Sequence, residues 1–113
     1  MSALGPAFDR FARLAKPARE RDIEAYLKKR VKELGGEIRK TKWVGRVGAP
    51  DRRVMLPDRA PVWVELKNPE TIATFPANGH ERQQLREINR MRRLGELVEV
   101  IGTIEGVEEL LRG

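Results

Sequence analysis

The chain has 113 residues, enough for one domain with its own core and too few for two. Apolar residues supply 40% and charged residues 35%, and no run approaches the ~18 uninterrupted apolar residues of a membrane span. The absence of cysteine excludes disulfides and thiolate-held zinc, and the lone histidine, His80, excludes a multi-histidine metal centre; a net charge of +6 favours a polyanionic partner, usually nucleic acid.

Residues 1–17 read as an N-terminal appendage. Phe8, Phe11 and Leu14 share one face of a short helix over 7–15, and Pro17 punctuates the chain after it. The stretch carries charges throughout and lacks the apolar centre of a signal peptide, so a cytoplasmic location is expected. Residues 18–113 form the main domain. Ile23, Leu27, Val31 and Leu34 recur at helical spacing over 18–34, and Gly35-Gly36 ends that helix. EIRKTKW (37–43) reads as a basic strand, and VGRVGAP (44–50) as a loop. RRVML (52–56) and VWVELK (62–67) read as strands joined across PDRAP, which makes a hairpin. NPETIATFPANG (68–79) reads as a long loop. Asn78 and Glu81 have capping-box spacing for a helix over 79–93, whose inward side carries Leu85, Ile88 and Met91. LVEVIG (97–102) is a strand and 104–112 a last helix. The order is α-β-β-β-α-β-α, an α/β fold with a mixed four-stranded sheet flanked by helices.

Glu65 and Lys67 are two apart on a strand and point to one face. If Leu56 faces Val62 across the turn, Asp51 lies opposite Lys67 and Arg53 opposite Glu65, so Asp51, Glu65 and Lys67 converge at one end of the hairpin. A slip of one residue would turn a whole strand over, which the apolar pattern resists. Two neighbouring carboxylates repel unless something neutralises them, and a divalent cation does so. Ligands limited to oxygen point to Mg²⁺ or Mn²⁺, with the Leu66 backbone carbonyl as a further donor. A lysine beside such a metal positions water or stabilises charge on a phosphate. Taken singly, Pro-Asp is a common turn dipeptide, and Glu-x-Lys is an ordinary solvated pair. The joint arrangement is what points to phosphodiester hydrolysis.

GAPD at 48–51 with ELK at 65–67 resembles the PD-(D/E)xK nuclease pattern. IE at 23–24, GG at 35–36, VGAPDR at 47–52, VELK at 64–67, QQ at 83–84 and LGELVEV at 94–100 look like its VRR-NUC branch, over roughly residues 20–112. The resemblance implies a restriction-endonuclease-like core. It also implies Asp51 and Glu65 as metal ligands, Lys67 as the catalytic lysine, and cleavage that leaves a 5′-phosphate and a 3′-hydroxyl. It adds a glutamate on the first helix. Glu20 and Glu24 share a face, and periodicity does not separate them. Family spacing to the glycine pair favours Glu24, a catalytic residue reaching the metal through water; a plain Glu24–Lys28 surface pair is its alternative. The family's glutamine fits Gln84, which flanks the inward stripe at i−4 from Ile88 and i−7 from Met91, better than Gln83. The connection at 68–79 is longer than many relatives show, and Phe75 is a candidate to pack at its base.

Lys40, Lys42 and Arg46 lead into the loop before Asp51, and Arg82, Arg86 and Arg90 form an i, i+4, i+8 row on the glutamine helix. Both sets are placed to grip phosphates, which positions DNA without reading its sequence. A solvated arginine face with Glu81 and Glu87 interleaved is the simpler reading of that row. Trp43 and Trp63 are expected against the sheet, not stacked on bases. Small stand-alone members resemble Holliday-junction resolvases, which implies branched DNA as substrate, a homodimer, and a bacterial or phage-infected cell. A catalytically silent DNA-binding module is the rival, but it predicts a broken motif, and Asp51, Glu65 and Lys67 are all present.

Overall fold

The computed structural model describes residues 17–113. The expected helix at 7–15 therefore lies outside the described residues. Helix α1 (Glu20–Glu33) forms where Ile23, Leu27 and Val31 fall on one buried stripe. Arg30 and Lys32 in its last turn and Glu20 and Asp22 in its first complement the helix dipole. Gly35 then takes a left-handed conformation (φ 80°), and the amide of Gly36 donates to the Val31 carbonyl.

Strands β1 (Glu37–Lys40), β2 (Arg52–Met55), β3 (Val62–Leu66) and β4 (Val98–Ile101) lie in that order across one sheet. The first three are antiparallel, and β4 runs parallel to β3. The parallel pair needs a crossover, supplied by helices α2 (Pro69–Thr74) and α3 (Gly79–Arg93); helix α4 (Ile104–Arg112) closes the fold. Val62, Val64 and Leu66 alternate inward toward α1 and α4, joining Ile23, Leu27, Val31, Val54, Val107 and Leu111 in the larger core. On the opposite face Trp63 and Val100 pack with Val98, Ile88, Met91 and Phe75. The sheet thus has helices on both faces, with the end of β3 between them. No helix among the described residues is long and apolar enough to cross a membrane.

Three expectations are corrected. Residues 68–79 are not simply loop. Asn68 accepts from the Thr71 amide at 2.8 Å and caps α2, with Pro69 in its first turn. Gly102 is what lets α2 sit there: a Cβ on it would come within 2.5 Å of the Ile72 Cβ and 2.8 Å of the Asn68 carbonyl oxygen. The hairpin register also differs by two residues. Val54, not Leu56, faces Val62, and Arg53 faces Trp63. Pro57 and Pro61 lack amide donors and widen the turn. A two-residue slip leaves every side chain on its own face, so the apolar pattern could not detect it. The basic strand at 37–43 is shorter than expected and ends at Lys40.

Candidate active site

Continued one residue past the ladder, the observed register sets Asp51 against Glu65 rather than against Lys67. The Thr41 amide donates to the Asp51 carbonyl at 2.8 Å and anchors the backbone that delivers this aspartate. Gly48 (φ 87°) lets the preceding loop lie on α3, where a Cβ would meet the Gln84 Cα at 3.2 Å.

Asp51, Glu65, Lys67 and Gln84 are brought to one end of the sheet, and a hydrogen-bonded chain links three of them. Lys67 Nζ donates to Gln84 Oε1 at 2.8 Å, and Gln84 Nε2 donates to Glu65 Oε2 at 3.1 Å. The ammonium is a pure donor, so it fixes which way the amide faces. Gln83 is exposed and takes no part. Burial is the main force pushing the Glu65 carboxyl up to about 7. Lys67 opposes it, Asp51 and Glu20 add repulsion, and Arg52 opposes.

Glu24 does not enter this cluster directly. It accepts from Arg52 Nε at 2.5 Å, and Arg52 Nη1 donates to Asp51 Oδ1 at 2.6 Å. The Arg52 hydrogen bond holds the Glu24 carboxyl below its usual range, against burial. The Glu24–Lys28 contact, at 4.0 Å, is secondary. Glu20 is exposed, yet its charge is felt at Glu65. Helix α1 therefore presents two carboxylates in different relations to the site: Glu24 bound to Arg52, which in turn holds Asp51, and the exposed Glu20, whose charge adds to the repulsion at Glu65.

The sequence reading missed Arg52 and Glu81. Arg52 alternates with Val54 and Leu56 on the core side of β2, and an arginine there needs a buried partner. Glu81 sits seven residues before Ile88 and one turn before Gln84, so it lies on the inward stripe of α3. Only half of the expected capping box forms. Asn78 Oδ1 accepts from the Glu81 amide at 2.9 Å, but the Glu81 carboxylate turns to the Ala77 amide and to Lys67.

Arg46, Arg86 and Arg90 line one groove between the Gly45–Val47 loop and α3, together with Arg93, which the sequence reading left out. Arg82 is exposed but does not line it, and Lys40 and Lys42 are exposed beyond it. Arg46 pairs with Glu87 at 3.7 Å. Arg92 instead donates to the Val98 carbonyl at 2.8 and 3.1 Å, tying α3 to β4. Trp43 and Trp63 pack on each other with ring centroids 5.0 Å apart, and Trp43 Nε1 donates to the Pro50 carbonyl at 2.7 Å, as sheet packing predicts. A larger, more apolar cleft, lined in part by Leu56, Arg59, Val62 and Leu110, contains none of the candidate site residues.

Among the described residues, no three His, Cys, Asp or Glu side chains come together as a metal-holding group. The donors expected from the sequence, the Asp51 and Glu65 carboxylates and the Leu66 carbonyl, are all hard oxygen. They fit an ion such as Mg²⁺ that keeps several of its own waters. The elevated Glu65 carboxyl, repelled by Asp51, is what a cation between them would relieve.

No family model matches the chain. It is 39% identical over 83 residues to the protein named "Putative nuclease p44" of Acyrthosiphon pisum secondary endosymbiont phage 1, covering 74% of this chain and 82% of that protein. A solved structure described as a VRR_NUC domain superposes with a TM-score of 0.66 at 35% identity, covering 82% of this chain and 94% of that one. With the mixed sheet, its flanking helices and the Asp51–Glu65–Lys67 end of the hairpin, these similarities place the chain in the VRR-NUC family of PD-(D/E)xK nucleases.

Proposed function

We propose that the protein is a Mg²⁺- or Mn²⁺-dependent DNA endonuclease that cuts branched DNA, four-way junctions above all, as a homodimer. The observation that carries this reading is the placing of Asp51 and Glu65 on neighbouring chain segments, with Lys67 tied through Gln84 to the Glu65 carboxylate. Asp51, Glu65 and the Leu66 carbonyl would hold the cation, which when bound supplies Lewis-acid charge to the phosphodiester. Lys67 has three N–H donors; two are engaged, by Gln84 and Glu81, leaving one for a phosphate oxygen or a nearby water. Gln84 holds Glu65 in orientation, and Glu24 acts through Arg52 to hold Asp51.

The arginine groove runs along α3 from Gln83, the neighbour of Gln84, and in this reading a strand gripped there is led toward the site. Arg46, Arg86, Arg90 and Arg93 contact phosphates in this reading, with Lys40, Lys42 and Arg82 as outer contacts. One active site per chain cannot cut two strands symmetrically, so a twofold dimer supplies the second. Similarity to a phage protein supports a role in the cytoplasm of a bacterial or phage-infected cell.

The test is a panel of labelled four-way junction, flap, duplex, single-stranded DNA and RNA, each with Mg²⁺, Mn²⁺ or EDTA. Metal-dependent cutting of the junction is expected, with loss of cutting but retained junction binding in Lys67→Ala. Binding without metal-dependent cutting of any substrate would favour the silent DNA-binding module. Preferential flap or RNA cutting would replace the junction in this assignment. Sedimentation of the free protein tests the dimer.

A further inference from the structure

Lys67 sits at the end of β3 with only 7% of its surface exposed. An ammonium on a flexible stem is costly to bury unless its charge is met and its donors are used. Gln84 is neutral and meets only one donor. The charge is met by Glu81, itself 8% exposed, whose Oε2 lies 3.0 Å from Nζ. The other Glu81 oxygen accepts from the Ala77 amide at 2.8 Å, which fixes the carboxylate in place. That amide and the Lys67 ammonium, in this order, hold the Glu81 carboxyl below its usual range, so it stands ionised beside the lysine. Phe75 lies beside the ammonium, its ring centroid 5.0 Å from Nζ, at cation–π distance.

We infer that Glu81 is a positioning residue for the reaction: clamped by the Ala77 amide, it fixes the Lys67 ammonium, and through Gln84 the Glu65 carboxylate. This rests on the nuclease reading and adds a residue to it. The chain of contacts runs from the Ala77 amide through Glu81, Lys67 and Gln84 to Glu65. It gives the long connection between β3 and α3 a function: that segment delivers both the Ala77 amide and the Phe75 ring to the lysine. Glu81 is not a second base. Both its oxygens are engaged and its contacts favour the charged form, so its influence travels through where Lys67 is held.

Two readouts test this. The first is amine acylation of the metal-free protein, followed by peptide mass spectrometry. In the wild type, Lys67 should label far more slowly than the exposed Lys28 and Lys29. In Glu81→Gln, whose single carbonyl cannot serve both Ala77 and Lys67, Lys67 labelling should rise while Lys28 and Lys29 stay unchanged. The second is steady-state cleavage. Glu81→Gln should lower kcat about 10- to 100-fold, the range a displaced catalytic group produces, with little change in KM. Glu81→Asp keeps the charge with a shorter reach and should fall between wild type and Glu81→Gln in both readouts, which also serves if Glu81→Gln folds poorly. Unchanged Lys67 labelling in both variants, or faster labelling with unchanged kcat, overturns the inference. A wild type that cuts no substrate would instead overturn the nuclease reading, and with it the catalytic role given to Glu81, whatever the labelling shows.

Discussion

Replacing Glu65 by Gln should make the protein more stable and inactive, and the gain should depend on pH. Folding moves the Glu65 carboxyl from 4.5 to about 7, chiefly because burial disfavours its charged form. At ~1.4 kcal/mol per pH unit, keeping it ionised costs the native state ~3 kcal/mol once the pH exceeds 7. Between 4.5 and about 7 the unfolded chain has lost this proton while the native state keeps it. The native state therefore binds more protons, and stability falls as pH rises through that window. Glutamine removes the ionisation and retains the acceptor that Gln84 Nε2 uses at 3.1 Å. Urea unfolding in EDTA should show Glu65→Gln ahead of wild type by ~2–3 kcal/mol near pH 8 and by under ~1 kcal/mol near pH 5. A variant no more stable than wild type near pH 8, or one with the same advantage at both values, would refute the claim that burial strains this carboxylate. The physical content is that the fold holds a carboxylate whose charge its burial disfavours.

Gly48→Ala should destabilise the protein by ~1–2 kcal/mol, seen as a lower urea midpoint, because a left-handed residue gains a Cβ 3.2 Å from the α3 backbone. Gly102→Ala should lower activity by displacing α2 from the end of β4, where a Cβ would overlap Ile72; cleavage rates at matched folded fraction would decide it. Arg90→Ala should raise KM for DNA more than it lowers kcat, and should reduce the slope of binding against salt by about 1. An unchanged slope would remove Arg90 from the phosphate track. Glu108 accepts from Tyr26 and Arg30, and these contacts, Arg30 first, hold its carboxyl at about 2. A depressed carboxyl stabilises the fold above its unfolded value and loses that contribution as pH falls toward about 2. Glu108→Gln should therefore be less stable than wild type at neutral pH, and the two should converge in acid unfolding.

The Asp51–Glu65–Lys67 grouping was legible because Glu65 and Lys67 share a strand face by parity alone, and because a register error of two leaves Asp51 on that same face. Gln84 was separable from Gln83 because a helix places only one of two successive residues beside the stripe of Ile88 and Met91. The Pro69–Thr74 helix was hidden because its polar face gives no apolar period, and none of its residues is buried. The partner of a charge was harder to read. Arg52 finds Glu24 twenty-eight positions away, and Lys67 finds Glu81 fourteen away.

The sequence by itself determined the elements other than the Pro69–Thr74 helix, their inward faces and the family motifs. Periodicity and turn chemistry are local, and so is the two-residue spacing of the Glu-x-Lys strand. Only the tertiary structure decided that Asp51 stands against Glu65, that Glu24 reaches the site through an arginine, and that Lys67 is held by Glu81. Those outcomes depend on a register that can slip by two without exposing an apolar residue. They depend equally on ångström distances between segments far apart in the chain, where hydrogen bonds and buried charges select their partners.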